Sequence, residues 1–161
     1  MIIAMSEEKI NWEEVIERIL KTVEANPEQF SKKKASSSIH SIVLEEIRNE
    51  WNKYHPTFEE KTQLIDFVGR TFSRHGKVEL AVEVDTWHKR ADSWVKLLDI
   101  SASNKFWIYL CRDKERAEEF FNEAVKEFRE LAKLRREDKS NNVTIFMKVA
   151  GGDVKKTYLF E

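Results

Sequence analysis

Glu83-Val84-Asp85 closes an apolar strand pattern, and Asp66 stands 17 residues before Glu83 in a second pattern of the same kind. Side chains alternate along a strand, so Glu79, Ala81, Glu83 and Asp85 are expected on one face and Val78, Leu80, Val82 and Val84 on the other. An ionised carboxylate carried into a sheet loses its hydration, at a cost that demands a partner. No Lys or Arg alternates with these acids inside the strand. The simplest partner is a hard cation, Mg²⁺ or Mn²⁺, which takes a few carboxylates, keeps several waters and leaves room for phosphate oxygens. The alternative is a structural ion-pair network, natural in a chain rich in both charges.

A helix upstream adds to this group. Ile39, Ile42, Val43, Ile47 and Tyr54 recur at helical spacing, and Glu46 and Glu50 fall near the middle of that stripe. A carboxylate there must be paired, protonated or bound to a cation, or else covered by Arg or Lys from elsewhere.

Around these acids the chain reads as a series of helices and strands. Trp12, Val15, Ile16, Ile19, Leu20 and Val23 form an amphipathic helix behind an Asn11 N-cap, with Pro27 beyond its end. Ser36 to Ser38 can cap a second helix that runs to about Tyr54, where His55-Pro56 closes it. Thr57 to Glu60 suits a capping box or a short edge strand, with strand preferred. Leu64 to Phe72 and Val78 to Asp85 are strands joined by Ser73-Arg74-His75-Gly76-Lys77, and Gly69 inside the first marks a bulge or the close approach of another backbone. Ser93 can cap a helix through Ile100, followed by a buried strand from Lys105 to Cys111; a helix between two strands implies parallel pairing. Lys114 to Asp138 forms the longest helix, and Val143 to Val149 and Val154 to Phe160 flank Gly151-Gly152-Asp153 as a closing hairpin. The order ααβββαβαββ predicts an α/β fold: a mixed central sheet flanked by helices, one domain over 1–161 with the helices of 1–55 packed on the sheet.

With the acids on these elements, the sequence resembles the PD-(D/E)XK, or restriction-endonuclease-like, nucleases. Their pattern is an acidic residue on one strand, then (D/E)-X-K at the end of the adjacent hairpin strand, a helix, a further strand and another helix. Leu64-Ile65-Asp66-Phe67-Val68 looks like the first element and Glu83-Val84-Asp85 like the second, with Asp85 where the family usually has lysine. The resemblance implies Asp66, Glu83 and Asp85 as catalytic residues, with Asp66, Glu83 and the helical Glu46 as ligands of Mg²⁺ or Mn²⁺. It implies Lys96, on the following helix, as the substitute for the motif lysine, and Lys89 as the second candidate. The activity it implies is hydrolysis of nucleic-acid phosphodiesters, DNA before RNA, and it allows a homodimer acting on two strands. A degenerate module that binds nucleic acid or a protein partner, or an assembly protein with salt-bridged acids, fits the same residues.

Trp87-His88-Lys89-Arg90 mixes aromatic and basic groups just beyond the acidic strand, suited to holding phosphates and an unstacked base, although an ordinary polar loop reads the same way. With 28 Lys+Arg against 29 Asp+Glu, overall charge names no partner. One cysteine, Cys111, excludes an intramolecular disulfide, and no run of 18 apolar residues or signal-type start is present, so a cytoplasmic protein without a membrane role is expected. The four histidines lack zinc-type spacing, and no phosphate-binding glycine loop or nucleophile elbow occurs. Four Gly and two Pro amid abundant Lys and Glu resemble the bias of hyperthermophile proteins.

Overall fold

The computed structural model describes residues 10–23, 38–54, 59–60, 65–71, 76–86 and 91–161. Along the chain these form α1 (Trp12–Thr22), α2 (Ile39–Tyr54), β1 (Glu59–Glu60), β2 (Phe67–Arg70), β3 (Val78–Thr86), α3 (Ala91–Asp99), β4 (Asn104–Cys111), α4 (Ala117–Leu134), a 3₁₀ turn (Lys139–Asn141), β5 (Thr144–Val149) and β6 (Val154–Tyr158). The strands build one mixed sheet in the order β1-β2-β3-β4-β5-β6. β1 to β3 form an antiparallel meander, β3, β4 and β5 run parallel, and β6 returns antiparallel beside β5. The fold is α/β, with helices on both faces of the sheet. Among the described residues no helix is long and apolar enough to cross a membrane.

Local chemistry accounts for several element ends. The Asn11 side chain accepts the Glu14 N–H at 3.2 Å and starts α1; the Ser38 hydroxyl accepts the Ser41 N–H at 3.2 Å and starts α2. Gly151 takes φ 64° in the β5–β6 turn, a left-handed conformation that glycine adopts without a Cβ penalty. Pro27 and His55-Pro56 lie outside the described residues. α3 begins at Ala91, earlier than expected, so Ser93 lies within its first turn and its hydroxyl turns to the sheet.

Two apolar layers flank the sheet. On one side α1 and α2 pack on Phe67, Leu80, Val82, Val84, Phe106, Ile108, Leu110 and Phe146. On the other, α3 and α4 pack on Ala81, Trp107, Tyr109, Cys111, Ile145 and Met147. Glu83 and Asp85 alternate with the first set and therefore enter the second layer, beneath α3. The expected alternation fails at the start of β3. Gly69 pairs with Leu80 and Arg70 with Val78, which leaves Glu79 as the extra residue of a bulge. Val78 consequently joins the layer of Ala81, and the Glu79 carboxylate accepts the Trp12 indole N–H at 3.0 Å on the other side. Glu79 is thus a tether for α1, separate from the acidic face that strand periodicity alone gave it.

Candidate functional site

Asp66 lies in the bend immediately before β2, one step short of the strand expected to carry it. It is joined to β3 by two reciprocal contacts: the Asp66 N–H donates to Glu83 Oε1 at 3.2 Å, and the Val84 N–H donates to Asp66 Oδ2 at 2.8 Å. The β2–β3 register makes this geometry inevitable, because Phe67 faces Val82 and the next pair outward is Asp66 with Glu83. Asp66 is a quarter exposed and Glu83 only 3% exposed, so the pair runs from the surface into the sheet.

Asp85 is held differently. The Ser93 hydroxyl donates to its Oδ1 at 3.1 Å and the Trp107 indole N–H to its Oδ2 at 2.6 Å, so donors from α3 and β4 meet both oxygens of a buried carboxylate. The Trp107 contact follows from the parallel β3–β4 register, which sets Glu83 beside Trp107 and Asp85 beside Tyr109. The Trp107 ring is fixed in turn by Tyr109, stacked at 5.5 Å, and by Trp94, edge-on at 5.3 Å.

The helical members of the expected site are rearranged. Ile39, Val43, Ile47 and Trp51 form the buried stripe of α2, and Glu46 is exposed on another face. The expectation that Glu46 sits inside the apolar stripe is corrected, and with it the burial argument for a metal ligand there. Glu50 contacts Arg18 at 3.2 Å and Lys53 at 2.9 Å, the covering cations of the plainer reading. From α2 it is His40 that reaches the acids, its Nε2 standing 3.4 Å from Asp66 Oδ2. Sequence reasoning passed over His40, Ser93 and Trp107. The first lacked a partner at metal-type spacing, the second read as a cap, and the third as core. Trp87, His88, Lys89 and Arg90 lie outside the described residues.

Electrostatics separates the paired acids. Burial pushes Asp66 up, but the His40 hydrogen bond, the Val84 N–H and the charges of His40 and Lys96 outweigh it and hold the carboxyl below its ordinary value. Burial and then the charge of Asp66 push Glu83 up to about 7, against the opposing influence of Ser93 and Lys96. Lys96, half-buried on α3, acts on both carboxylates.

The sign for stability follows. Glu83 binds its proton more tightly folded than unfolded, so its contribution is complete below 4.5 and is lost as pH rises through about 7. Asp66, with its pKa lowered from 3.8, contributes above that value and loses its contribution as pH falls. The wild-type urea midpoint is therefore expected to fall between about pH 5 and 8. A flat or rising midpoint over that interval contradicts the assigned environment of Glu83.

Asp66 and Glu83 bring two carboxylates to one place, and the crowding of like charge that raises Glu83 is what a divalent cation would relieve. That suits Mg²⁺, held by one or two carboxylates with waters completing its shell. Among the described residues no group of three or more His, Cys, Asp or Glu could hold a metal, so a cage made wholly of protein ligands finds no support there. Two surface concavities, of 460 Å³ along α4 and β6 and 520 Å³ beside the start of α1, include none of these carboxylates.

Compared with family models, with curated proteins and with solved structures, the chain matches none of them.

Proposed function

We propose that this chain is a restriction-endonuclease-like protein of the PD-(D/E)XK type that hydrolyses nucleic-acid phosphodiesters, DNA before RNA, in the cytosol with Mg²⁺ or Mn²⁺. The observation that carries this reading is the reciprocal pairing of two carboxylates, under the influence of a nearby positive charge. Asp66 and Glu83 are hydrogen bonded across the hairpin, and the positive charge of Lys96 falls on both from the next helix. The succession of acid, hairpin strand, helix, parallel strand and helix supports it further.

Asp66 and Glu83 would hold the cation, which when bound polarises the phosphodiester and acidifies a water. The chain's own groups supply the rest. The Val84 N–H and His40 fix the Asp66 carboxylate, and the Asp66 N–H fixes Glu83, so neither acid needs to reorganise. Lys96, whose charge acts on both carboxylates, would stabilise the negative charge that a phosphate gathers there.

A second reading, a nuclease-fold module that binds nucleic acid or a protein partner without cleaving it, is favoured by one observation. At the position of the motif lysine, Asp85 has both oxygens committed to Ser93 and Trp107.

The test is cleavage of plasmid DNA, single-stranded DNA and RNA with Mg²⁺ or Mn²⁺, chelator as control. Wild type is expected to cleave, Asp66→Ala to fall to background, and Lys96→Ala to lose about 100-fold or more. Mg²⁺ should also raise the wild-type melting temperature and leave that of Asp66→Ala unmoved. Cleavage that persists in Asp66→Ala and in Glu83→Ala removes the assignment. Salt-sensitive nucleic-acid binding without cleavage selects the second reading, and no response to metal or nucleic acid leaves the acids as structural.

A further inference from the structure

We propose that the 520 Å³ concavity beside the start of α1 binds a neutral carbohydrate, through amide groups that the fold holds by one end and leaves open at the other. The concavity includes neither Asp66 nor Glu83, so the inference stands apart from the nuclease reading. Its walls come together because the sheet sets them in line. Phe106 pairs with Thr144 and Thr144 with Tyr158, one row across β4, β5 and β6 on the face that α1 covers. Asn104, two residues before Phe106, shares that face, and Ser103 precedes it in the loop from α3. Asn11, the N-cap of α1, completes the wall.

Which end of each amide is open follows from the bond at its other end. Asn11 Oδ1 accepts the Glu14 N–H at 3.2 Å, so its NH₂ is the open end. Asn104 Nδ2 donates to the Glu79 carbonyl at 3.0 Å, so its Oδ1 is the open end. Neither of these ends, nor the hydroxyl of Ser103 or Thr144, has a protein partner among the described residues. The wall therefore presents a donor, an acceptor and two hydroxyls that do either. Because the two amides are already fixed, binding costs little of their side-chain freedom.

The charges decide the class of ligand. Among the described lining residues only Glu13 and Lys105 are charged, and both have partners within the fold. Glu13 stands 3.6 Å from Lys156, and the Lys105 ammonium is bonded to Asn141. The positive end of α1 is answered by Glu13 and Glu14 in its first turn. No charge is left over to select an ion. A flat apolar heterocycle fits no better, because Trp12 and Phe106 are 1% and 2% exposed and only Tyr158, 37% exposed, offers a ring face. A sugar asks for that combination: one aromatic face for its C–H surface, with donors and acceptors around it for hydroxyls that act as both.

The test is titration of the intact chain with glucose, N-acetylglucosamine and maltose, followed by ¹H–¹⁵N NMR, with adenosine and inorganic phosphate as the competing classes. At least one sugar is expected to shift the side-chain amides of Asn11 and Asn104 together, with a Kd on the order of 1 mM, while the backbone amides of Asp66 and Glu83 stay in place. Two variants keep the fold and remove one group each. Asn11→Ser retains a helix cap without the amide donor, and Thr144→Val retains the shape without the hydroxyl. Each should weaken sugar binding at least about 5-fold in a chain whose spectrum is otherwise that of the wild type. No shift with any of the three sugars up to about 100 mM overturns the proposal. So does a sugar that shifts other residues instead, or that binds both variants as it binds the wild type. Binding of adenosine or phosphate at these residues in preference to the sugars overturns the ligand class.

Discussion

Gly69→Ala is expected to destabilise the protein by about 3 kcal/mol, the upper end of the usual range for overpacking, and to lower its melting temperature by about 6–12 °C at this chain length. A Cβ at position 69 would lie 2.6 Å from Trp51 Cη2 and Cζ2 and 2.7 Å from Cε2, far inside van der Waals contact. The indole has nowhere to retreat. Trp51 is fully buried, stacked on Trp12 at 5.5 Å and set edge-on to Phe67 at 5.9 Å. Moving the ring would disturb α1, α2 and β2 together, and densely packed interiors pass such strain on instead of absorbing it. The hairpin backbone cannot yield easily either, because the bulge between Gly69 and Arg70 fixes the register that brings Asp66 to Glu83. Urea unfolding of Gly69→Ala, and of Gly69→Ala in a Trp51→Leu background, checks this. The smaller side chain should recover much of the loss, a coupling expected only between groups in contact. Additive losses, or a melting temperature within about 2 °C of wild type, would show that the site relaxes without cost.

Gly69 also shows how far the sequence could be read. A glycine inside a strand pattern signalled a bulge or the close approach of another backbone; the bulge is present, but what lies close is an indole from a helix 18 residues upstream and not a backbone. Features carried by local chemistry were legible: the Asn11 and Ser38 caps, the β5–β6 turn, the long stripe of α4, and the parallel pairing implied by α3 between two strands. What required a partner was not. An apolar stripe that included Ile42 and Tyr54 put Glu46 and Glu50 at its centre. In the fold the stripe is Ile39, Val43, Ile47 and Trp51, and Tyr54 is 51% exposed. That difference in azimuth turns Glu46 outward and brings His40 to Asp66, and only the sheet beneath α2 could decide it. Glu79 failed for a related reason, since one bulge residue moves a side chain to the opposite face. Asp85 was visible as a departure from the family pattern, but its bond to Trp107 depends on a parallel register that periodicity does not encode.

Glu83→Gln is expected to move stability and activity in opposite directions at pH 8. Folding takes Glu83 from an ordinary value of 4.5 to about 7, chiefly by burial and the nearby Asp66 charge, so at pH 8 the folded protein holds an ionised carboxylate in a place that disfavours it. At 1.36 kcal/mol per pH unit that difference sets a ceiling of about 3 kcal/mol, and relaxation around Ser93 and Lys96 reduces the realisable gain to the order of 1–2 kcal/mol. Glutamine removes the charge but keeps the shape, and its Oε1 can still accept the Asp66 N–H. The variant should therefore unfold at higher urea than wild type at pH 8 and at nearly the same urea at pH 4, where Glu83 is protonated in the folded chain and mostly so in the unfolded one. The same change takes away one of the two carboxylates proposed to hold the cation, so metal-dependent cleavage should fall by at least about 100-fold. A gain in stability paired with a loss of activity is the mark of an acid kept at a functional site against its own solvation. An acid kept for structure predicts the reverse: Glu83→Gln would break a favourable network, lower stability at pH 8 and leave the response to Mg²⁺ unchanged.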